Sequence, residues 1–153
     1  MGAETNDGST LEQQLRLIED RFEIFNLIAS NPPSAEFPGL PDERRSPAGS
    51  ANPEHYRSIE QGIAHFASVP YVRITGDTAF AISYLQILVP DRVGPLFEVP
   101  NHGSSRGFHV HRVSANRWQF VRTDEGWKIR RRTLRPLDGT PPAREILGGA
   151  LEP

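Results

Sequence analysis

The chain of 153 residues contains no cysteine, which excludes disulfide bridges, thiolate nucleophiles and cysteine zinc sites. Its hydrophobic runs are short, such as Ile87-Leu88-Val89, whereas a membrane-spanning helix needs about 20 apolar residues. The first ten residues, MGAETNDGST, lack the basic-then-apolar order of a secretory signal. The sequence therefore predicts a cytoplasmic protein with no membrane partner.

Lysine is almost missing, and charge of each sign is concentrated in one part of the chain. Residues 1–100 contain seven arginines against 14 acidic residues, whereas residues 101–135 contain nine basic residues against two acidic ones. A basic segment can bind nucleic acid, but the net charge of −2 and the few interleaved aromatics argue against this. We expect the two segments to face each other within one domain or between subunits, with no nucleic-acid partner.

The first predicted element is an amphipathic helix. Thr10 is a suitable N-cap, and Gln13 three residues later completes a capping box. Apolar residues then follow at helical spacing and predict a buried stripe: Leu11, Leu15, Ile18, Phe22, Phe25 and Ala29. Asp20 and the other charged residues fall off this stripe. Asn31-Pro32-Pro33 ends the helix because proline has no amide donor.

Proline is abundant in one place only. Residues 31–53 contain six prolines and two glycines, a composition that excludes an ordinary helix or central strand. This segment is interpreted as a loop or lid. With a disordered lead over residues 1–9, the length favours a single domain over residues 10–151.

The remaining elements are one helix followed mainly by strands. Asn52 as N-cap and Pro53 at the first helical position predict a helix to about Ser68. Gly76-Asp77 predicts a hairpin turn between strands at 69–75 and 78–89. A loop at 90–106, strands at 108–123 and 127–134, and a short terminal helix at 142–151 complete the pattern. Helices followed by an antiparallel meander predict an α+β fold.

Three stretches together resemble the SnoaL-like branch of the nuclear transport factor 2-like superfamily. They are LEQQLRLIEDRFEIFNLIAS, AHFASVPYVRITGDTAFAISYLQIL and VHRVSANRWQFVRTDEGWKIRRRTLRPLDG, in this order. The resemblance implies a cone-shaped, curved antiparallel sheet packed on N-terminal helices around a deep apolar pocket. Compared with this family, the chain lacks part of the usual middle segment, where only the proline-rich residues 31–53 stand.

The resemblance also implies an activity and its residues. Related lyases use a carboxylate–histidine dyad, which corresponds to Glu36 and His65 in this sequence, although the family more often has Asp at the first position. Arg122 corresponds to a basic residue that helps to hold an anionic leaving group or oxyanion. Many members work without a metal or cofactor, so no cofactor is expected. A homodimer is expected because a second subunit often covers the sheet.

These expectations lead to a first functional hypothesis. The protein is predicted to be a lyase, isomerase or cyclase that acts on a small, largely apolar ring compound. His65 would be the general base, because histidine accepts a proton near neutral pH, and Glu36 would orient it. The predicted substrate pocket consists of Tyr84, Gln86, Phe25, Phe66 and Trp118. The alternative is a non-catalytic module of the same fold that binds a ligand or dimerises.

Two further patterns were weighed against simpler explanations. His109 and His111 stand at i and i+2 on a predicted strand and could bind one metal ion, but no acidic ligand follows at the required spacing. We therefore expect no metal site. The run Arg130-Arg131-Arg132 also lies in a predicted strand, and alternation places Arg131 on one face and its two neighbours on the other.

Overall fold

The computed structural model describes residues 10–30 and 53–148, without the side chains of residues 53, 55 and 56. Helix α1 spans Leu11–Ala29. The predicted capping box is confirmed: Thr10 Oγ1 accepts from the Gln13 amide at 3.2 Å, and Gln13 Oε1 accepts from the Thr10 amide at 2.7 Å. The predicted lead at 1–9, the predicted lid and Glu36 lie outside the described residues.

Helix α1 buries a different stripe from the one the sequence predicts. Its buried residues are Asp20, Ile24 and Ile28, whereas the first four members of the predicted stripe, Leu11, Leu15, Ile18 and Phe22, are exposed. The prediction was wrong because burial begins only at Asp20, and beyond it the side of the helix that meets the sheet carries Asp20, Ile24 and Ile28, so Phe22 and Ala29 are exposed. The apolar spacing alone does not show how far the sheet extends along a helix.

The second helix is shorter than predicted, and His65 lies in a strand. Helix α2 spans Pro53–Glu60, and Gly62 follows with φ of 93°, a left-handed conformation that favours glycine. The next residues form strand β1, Ala64–Ala67. The prediction of a helix to Ser68 was wrong because residues 64–67 pair with a neighbouring strand, and this pairing overrides local preference.

The described strands form a curved antiparallel sheet with a second, small sheet beside it. Strands β2 (Tyr71–Thr75), β3 (Thr78–Pro90), β6 (Phe108–Thr123) and β7 (Gly126–Pro136) join β1 in the order β1-β3-β6-β7, with β2 also paired to β3. The predicted hairpin at Gly76-Asp77 is confirmed. The predicted loop at 90–106 was wrong in part, because β4 (Phe97–Val99) and β5 (Gly103–Ser105) form a hairpin there.

The sheet has an inner face, which helix α1 covers, and an outer face. Residues from four strands form the core with α1 on the inner face: Val72, Ala79, Ala81, Trp118, Phe120 and Trp127. On the outer face, helix α3 (Pro141–Gly148) contacts β6 and β7 and buries Ala143 and Ile146. The α+β fold with an N-terminal helix on a curved antiparallel sheet is therefore confirmed. No helix within the described ranges is long and apolar enough to cross a membrane.

A β-bulge between β6 and β7 changes which face the arginine run occupies. Gln119 pairs with Arg131 and Phe120 pairs with Ile129, so Arg130 is the extra residue. Arg132 then pairs with Trp118 on the inner face, whereas Arg130 lines a cleft on the outer face. Alternation predicted that Arg130 and Arg132 share a face. That prediction was wrong because a bulge shifts the alternation by one residue.

One ion pair joins helix α1 to the end of the sheet. Arg122 Nη1 donates to Asp20 Oδ1 at 2.6 Å, and Arg122 Nη2 donates to Asp20 Oδ2. Trp127 Nε1 also donates to Asp20 Oδ1, at 3.0 Å, and the Arg122 guanidinium lies 4.5 Å from the centre of the Trp127 ring. Because Asp20 is buried and accepts three hydrogen bonds, this contact sets the position of the helix on the inner face.

Replacing Asp20 with Asn is expected to destabilise the protein by about 3 kcal/mol, because the largely buried Arg122 cation loses its buried counter-charge and keeps only the exposed Asp77. Chemical denaturation at neutral pH measures this change. The matched control is Glu125→Gln, which removes the exposed ion pair with Lys128 and should leave the midpoint unchanged. An equal effect of the two variants would contradict the assignment.

The ion pair also predicts how stability depends on pH. The hydrogen bond from Arg122 holds the pKa of Asp20 below its ordinary value of 3.8. A lowered pKa in the folded state stabilises the protein above pH about 3.8, and this stabilisation is lost as pH falls through the folded-state pKa. The difference in unfolding free energy between the native protein and Asp20→Asn should therefore be constant near neutral pH and shrink below pH about 4. A difference that grows on acidification would contradict this prediction.

Candidate functional site

Four polar residues on the inner face form what we term the inner polar row: Ser83, Ser114, Asn116 and Arg132. Ser83 and Asn116 are paired across β3 and β6, and Ser114 lies two residues from Asn116 on the same face. The first three are almost fully buried, although serine and asparagine usually lie at protein surfaces. A buried polar row beside an apolar core is the usual composition of a ligand site.

Arg132 supplies the positive charge of this row. Its guanidinium lies 4.6 Å from the centre of the Trp118 ring, and its Nε donates to Asn116 Oδ1 at 2.9 Å. Burial lowers the pKa of Arg132 from 12.5 to about 10, so the side chain is still charged at neutral pH. A charged donor held against a ring and an amide is positioned to stabilise negative charge on a bound molecule.

The two serines of the row differ in their hydrogen bonding. Ser83 Oγ accepts from Trp118 Nε1 at 3.1 Å. Ser114 Oγ is fully buried and has no hydrogen-bond partner in the described structure. A buried hydroxyl without a partner costs about 1–3 kcal/mol, and in native proteins such groups are usually satisfied by water or a ligand. Ser114 is therefore a vacant donor and acceptor on the inner face.

His65 lies on the same face as the inner polar row. In the register of β1 and β3, His65 pairs with Ile87, and Ala67 pairs with Leu85. Leu85 in turn pairs with Ser114 on β6. His65 therefore lies two strands away from Ser114 and is offset from it by two residues along β3. The His65 side chain is half-buried. Strand pairing thus brings the predicted base to the polar row, although the sequence predicted a helix there.

The register separates the residues of the predicted substrate pocket. Trp118 lies on the inner face, and Phe25 packs partly buried against the core that Trp118 belongs to. Tyr84, Gln86 and Phe66 lie on the outer face. Phe66 pairs with Gln86, and Tyr84 pairs with Ala115, which by alternation faces the side of the sheet opposite to Trp118. All three are exposed. The two groups therefore do not line one cavity.

Arg122 is engaged in the ion pair with Asp20 described above. Its Nε lies 3.2 Å from Asp77 Oδ1, close enough for an ion pair but without the alignment of a hydrogen bond. Both terminal nitrogens donate to Asp20, so the geometry assigns Arg122 to holding the helix on the sheet. Its predicted role as an anion stabiliser stays a prediction.

His109 and His111 are both exposed near the start of β6. Among residues 10–30 and 53–148, no group of three or more histidine, aspartate or glutamate side chains is arranged to hold a metal ion. The arrangement of the inner polar row, by contrast, needs no metal to bind a polar group, because it offers a cation, an amide and a hydroxyl.

Sequence reasoning missed the inner polar row. Ser83, Ser114 and Asn116 are common polar residues, and Arg132 stands in an arginine run that usually marks a solvated strand. A signal was present in alternation: Ser83 stands between the apolar residues Ala81 and Leu85, and Asn116 and Ser114 precede Trp118 at intervals of two. It becomes meaningful only when the strand register is known.

Comparisons with known proteins show the family and the fold. Residues 37–133 match the model of the SnoaL-like domain. A nuclear transport factor 2-like protein with a cystatin-like fold from Novosphingobium aromaticivorans is 31% identical, with a TM-score of 0.72 over 94% of this chain and 98% of its own.

Two more distant structures share the fold. One is a nuclear transport factor 2-like superfamily protein from Salmonella enterica, 12% identical, with a TM-score of 0.51 over 78% of this chain and 92% of its own. The other is a protein of unknown function from Mycobacterium tuberculosis, 12% identical, with a TM-score of 0.51 over 95% and 93%. No protein of curated function has significant sequence similarity to the chain.

The two serines of the row should respond differently to substitution. Ser83→Ala removes the acceptor of Trp118 Nε1 and should destabilise the protein by about 1–3 kcal/mol. Ser114→Ala removes a buried hydroxyl that has no partner, so stability should be unchanged or higher. Chemical denaturation of both variants measures the difference. A loss of stability in Ser114→Ala equal to that in Ser83→Ala would show that Ser114 is already hydrogen-bonded in the free protein.

Proposed function

The chain belongs to the SnoaL-like domain family of the nuclear transport factor 2-like superfamily, which includes dehydratases and isomerases, and from that premise we propose an enzymatic function. The protein is proposed to move a proton on a small, largely apolar ring compound bound against the inner face of the sheet. It would do so without a metal or cofactor, as a lyase, isomerase or cyclase. Fold alone does not assign chemistry, so the proposal rests on the site.

The observation that carries the proposal is the placement of His65 and Arg132 on one face, with the buried hydroxyl of Ser114 between their strands. His65 supplies a general base and Arg132 a fixed cation, and these are the two kinds of group that proton abstraction next to a carbonyl needs. The apolar residues around them, Leu85 and Trp118, suit a substrate that is mostly hydrocarbon.

The proposed step can be written with its protons and electrons. His65 removes a proton from the carbon next to a carbonyl. The C–H electron pair forms the new C=C bond, and the C=O π pair moves onto the carbonyl oxygen to give an enolate. Arg132 stabilises the negative charge on that oxygen, and Ser114 donates its unused hydroxyl hydrogen to the same oxygen or to a second oxygen of the substrate. Return of the proton to another carbon completes an isomerisation, whereas loss of a β-leaving group completes an elimination.

Glu36 keeps its proposed place as the carboxylate that orients His65 and stabilises the imidazolium. Arg122 is not part of the proposed mechanism, because Asp20 engages both of its terminal nitrogens. The positive charge at the reacting oxygen is assigned to Arg132 instead. This assignment changes the residue that the resemblance implied for anion stabilisation.

Proton abstraction can be measured without knowledge of the natural substrate. We expect the native protein to catalyse exchange of the α-protons of small cyclic ketones in D2O, followed by NMR, because His65 removes those protons and solvent returns deuterium. His65→Ala should lower the exchange rate by a factor of about 10²–10⁴, the usual contribution of a general base. Arg132→Gln should lower the rate as well, because the enolate loses its cation.

His102→Ala is the matched control, because His102 is exposed in the turn of the β4–β5 hairpin, where its ring Nδ1 contacts the Pro100 carbonyl oxygen at 2.9 Å. This variant should exchange protons at the native rate. Exchange that is unchanged in a folded His65→Ala variant would overturn the catalytic proposal. Ring ketones that bind to the native protein without any exchange above the buffer rate would favour the non-catalytic binding module instead.

A further inference from the structure

The outer face of the sheet carries a second candidate site, which is separate from the inner polar row. A cleft of about 230 Å³ lies over β2, β3, β6 and β7 and is lined by three arginines, Arg73, Arg117 and Arg130, around Phe80. We term it the arginine cleft. We infer that it binds the oxyanion of a small molecule, a phosphate or carboxylate group.

Two of the arginines are held in place by the ring of Phe80. The Arg73 guanidinium lies 5.5 Å from the centre of the ring and that of Arg117 lies 5.0 Å from it. Arg73 Nη2 also donates to the Tyr71 hydroxyl at 3.3 Å. Stacking leaves the edge of a guanidinium available to donate, and two arginines fixed in this way lose little rotational freedom when they bind an anion.

The third arginine reaches the cleft because of the β-bulge. Arg130 is the extra residue of β7 between the pairs Gln119–Arg131 and Phe120–Ile129. Without the bulge, alternation would place Arg130 on the same face as Arg132. Bulges that redirect a side chain are common beside functional sites. Here the bulge adds a third positive charge to a cleft that already holds two.

Among residues 10–30 and 53–148, no carboxylate balances the charges of the arginine cleft. Its other lining residues, Thr75, Thr78, Ala79, Gln119 and Phe120, include no carboxylate. Within the described structure, none of the three arginines forms an ion pair. Glu145 lines a separate cleft on the other side of Arg117 but does not pair with it. Three cations around one cleft repel each other, and a bound oxyanion removes this repulsion.

The lining residues also indicate the form of the ligand. Arginine donors match the geometry of phosphate and carboxylate groups, and the threonines and Gln119 add neutral hydrogen-bonding groups. The ring of Phe80 provides an apolar surface beside these donors. The arginine cleft therefore suits an oxyanion attached to a small organic group better than a free inorganic ion.

Isothermal titration of the full chain with phenyl phosphate, benzoate and inorganic phosphate tests the inference. Phenyl phosphate or benzoate should bind, and inorganic phosphate should bind more weakly because it lacks the organic group. Arg130→Gln should weaken binding of the organic anion about tenfold, as expected for one lost charge-assisted hydrogen bond. Arg117→Gln should have a similar effect, and circular dichroism establishes that each variant is folded.

The matched control is Arg144→Gln, which removes the same charge from an exposed position on helix α3. It should bind phenyl phosphate like the native protein. If Arg144→Gln weakened the binding of phenyl phosphate as much as Arg130→Gln, the effect would come from net charge alone, and the proposed site would be wrong. Absence of binding by all three anions would also overturn it. Preference for inorganic phosphate over both organic anions would contradict the assigned ligand class.

Discussion

The position of helix α1 on the sheet depends on the buried ion pair between Asp20 and Arg122. The Asp20 carboxylate accepts hydrogen bonds from two nitrogens of the Arg122 guanidinium and from the Trp127 indole, while the guanidinium stacks on that indole. A buried charge is tolerated only when its partner has good geometry, so this contact allows one placement of the helix and disfavours others. The core residues Ile24 and Ile28 follow from it, because they meet the sheet one and two turns further along.

The two faces of the same sheet offer different chemistry. The inner face holds Arg132 against a tryptophan and an asparagine, beside a serine whose hydroxyl is unused. The outer face holds Arg73, Arg117 and Arg130 around one phenylalanine ring. A single extra residue in β7 produces this division, since it sends Arg130 and Arg132 to opposite sides. The local disruption of strand pairing is thus the feature on which both proposed sites depend.

Two buried side-chain atoms of the described structure lack a hydrogen bond: Ser114 Oγ, and Arg122 Nε, which forms an ion pair with Asp77. Ser83, Asn116 and Asp20 are buried and hydrogen-bonded, whereas Ser114 has no partner among the described residues. Retaining such a hydroxyl in the interior costs stability, and that cost is commonly accepted at sites that bind another molecule. The same reasoning applies to Arg73, Arg117 and Arg130 on the outer face, which form no ion pair with any described residue and repel each other.

The sequence alone determined the α+β class, the capped first helix, the hairpin at Gly76-Asp77 and the long strand at Phe108–Thr123, because these depend on local spacing and turn chemistry. Strand pairing decided the rest. It placed His65 in a strand and separated Tyr84 and Gln86 from Trp118, while the packing of α1 on the sheet left Leu11, Leu15, Ile18 and Phe22 of the predicted stripe exposed. It also assembled Ser114, Asn116 and Arg132 into one row, because residues on different strands become neighbours only through the register, and a bulge changes that register without a signal in the local pattern.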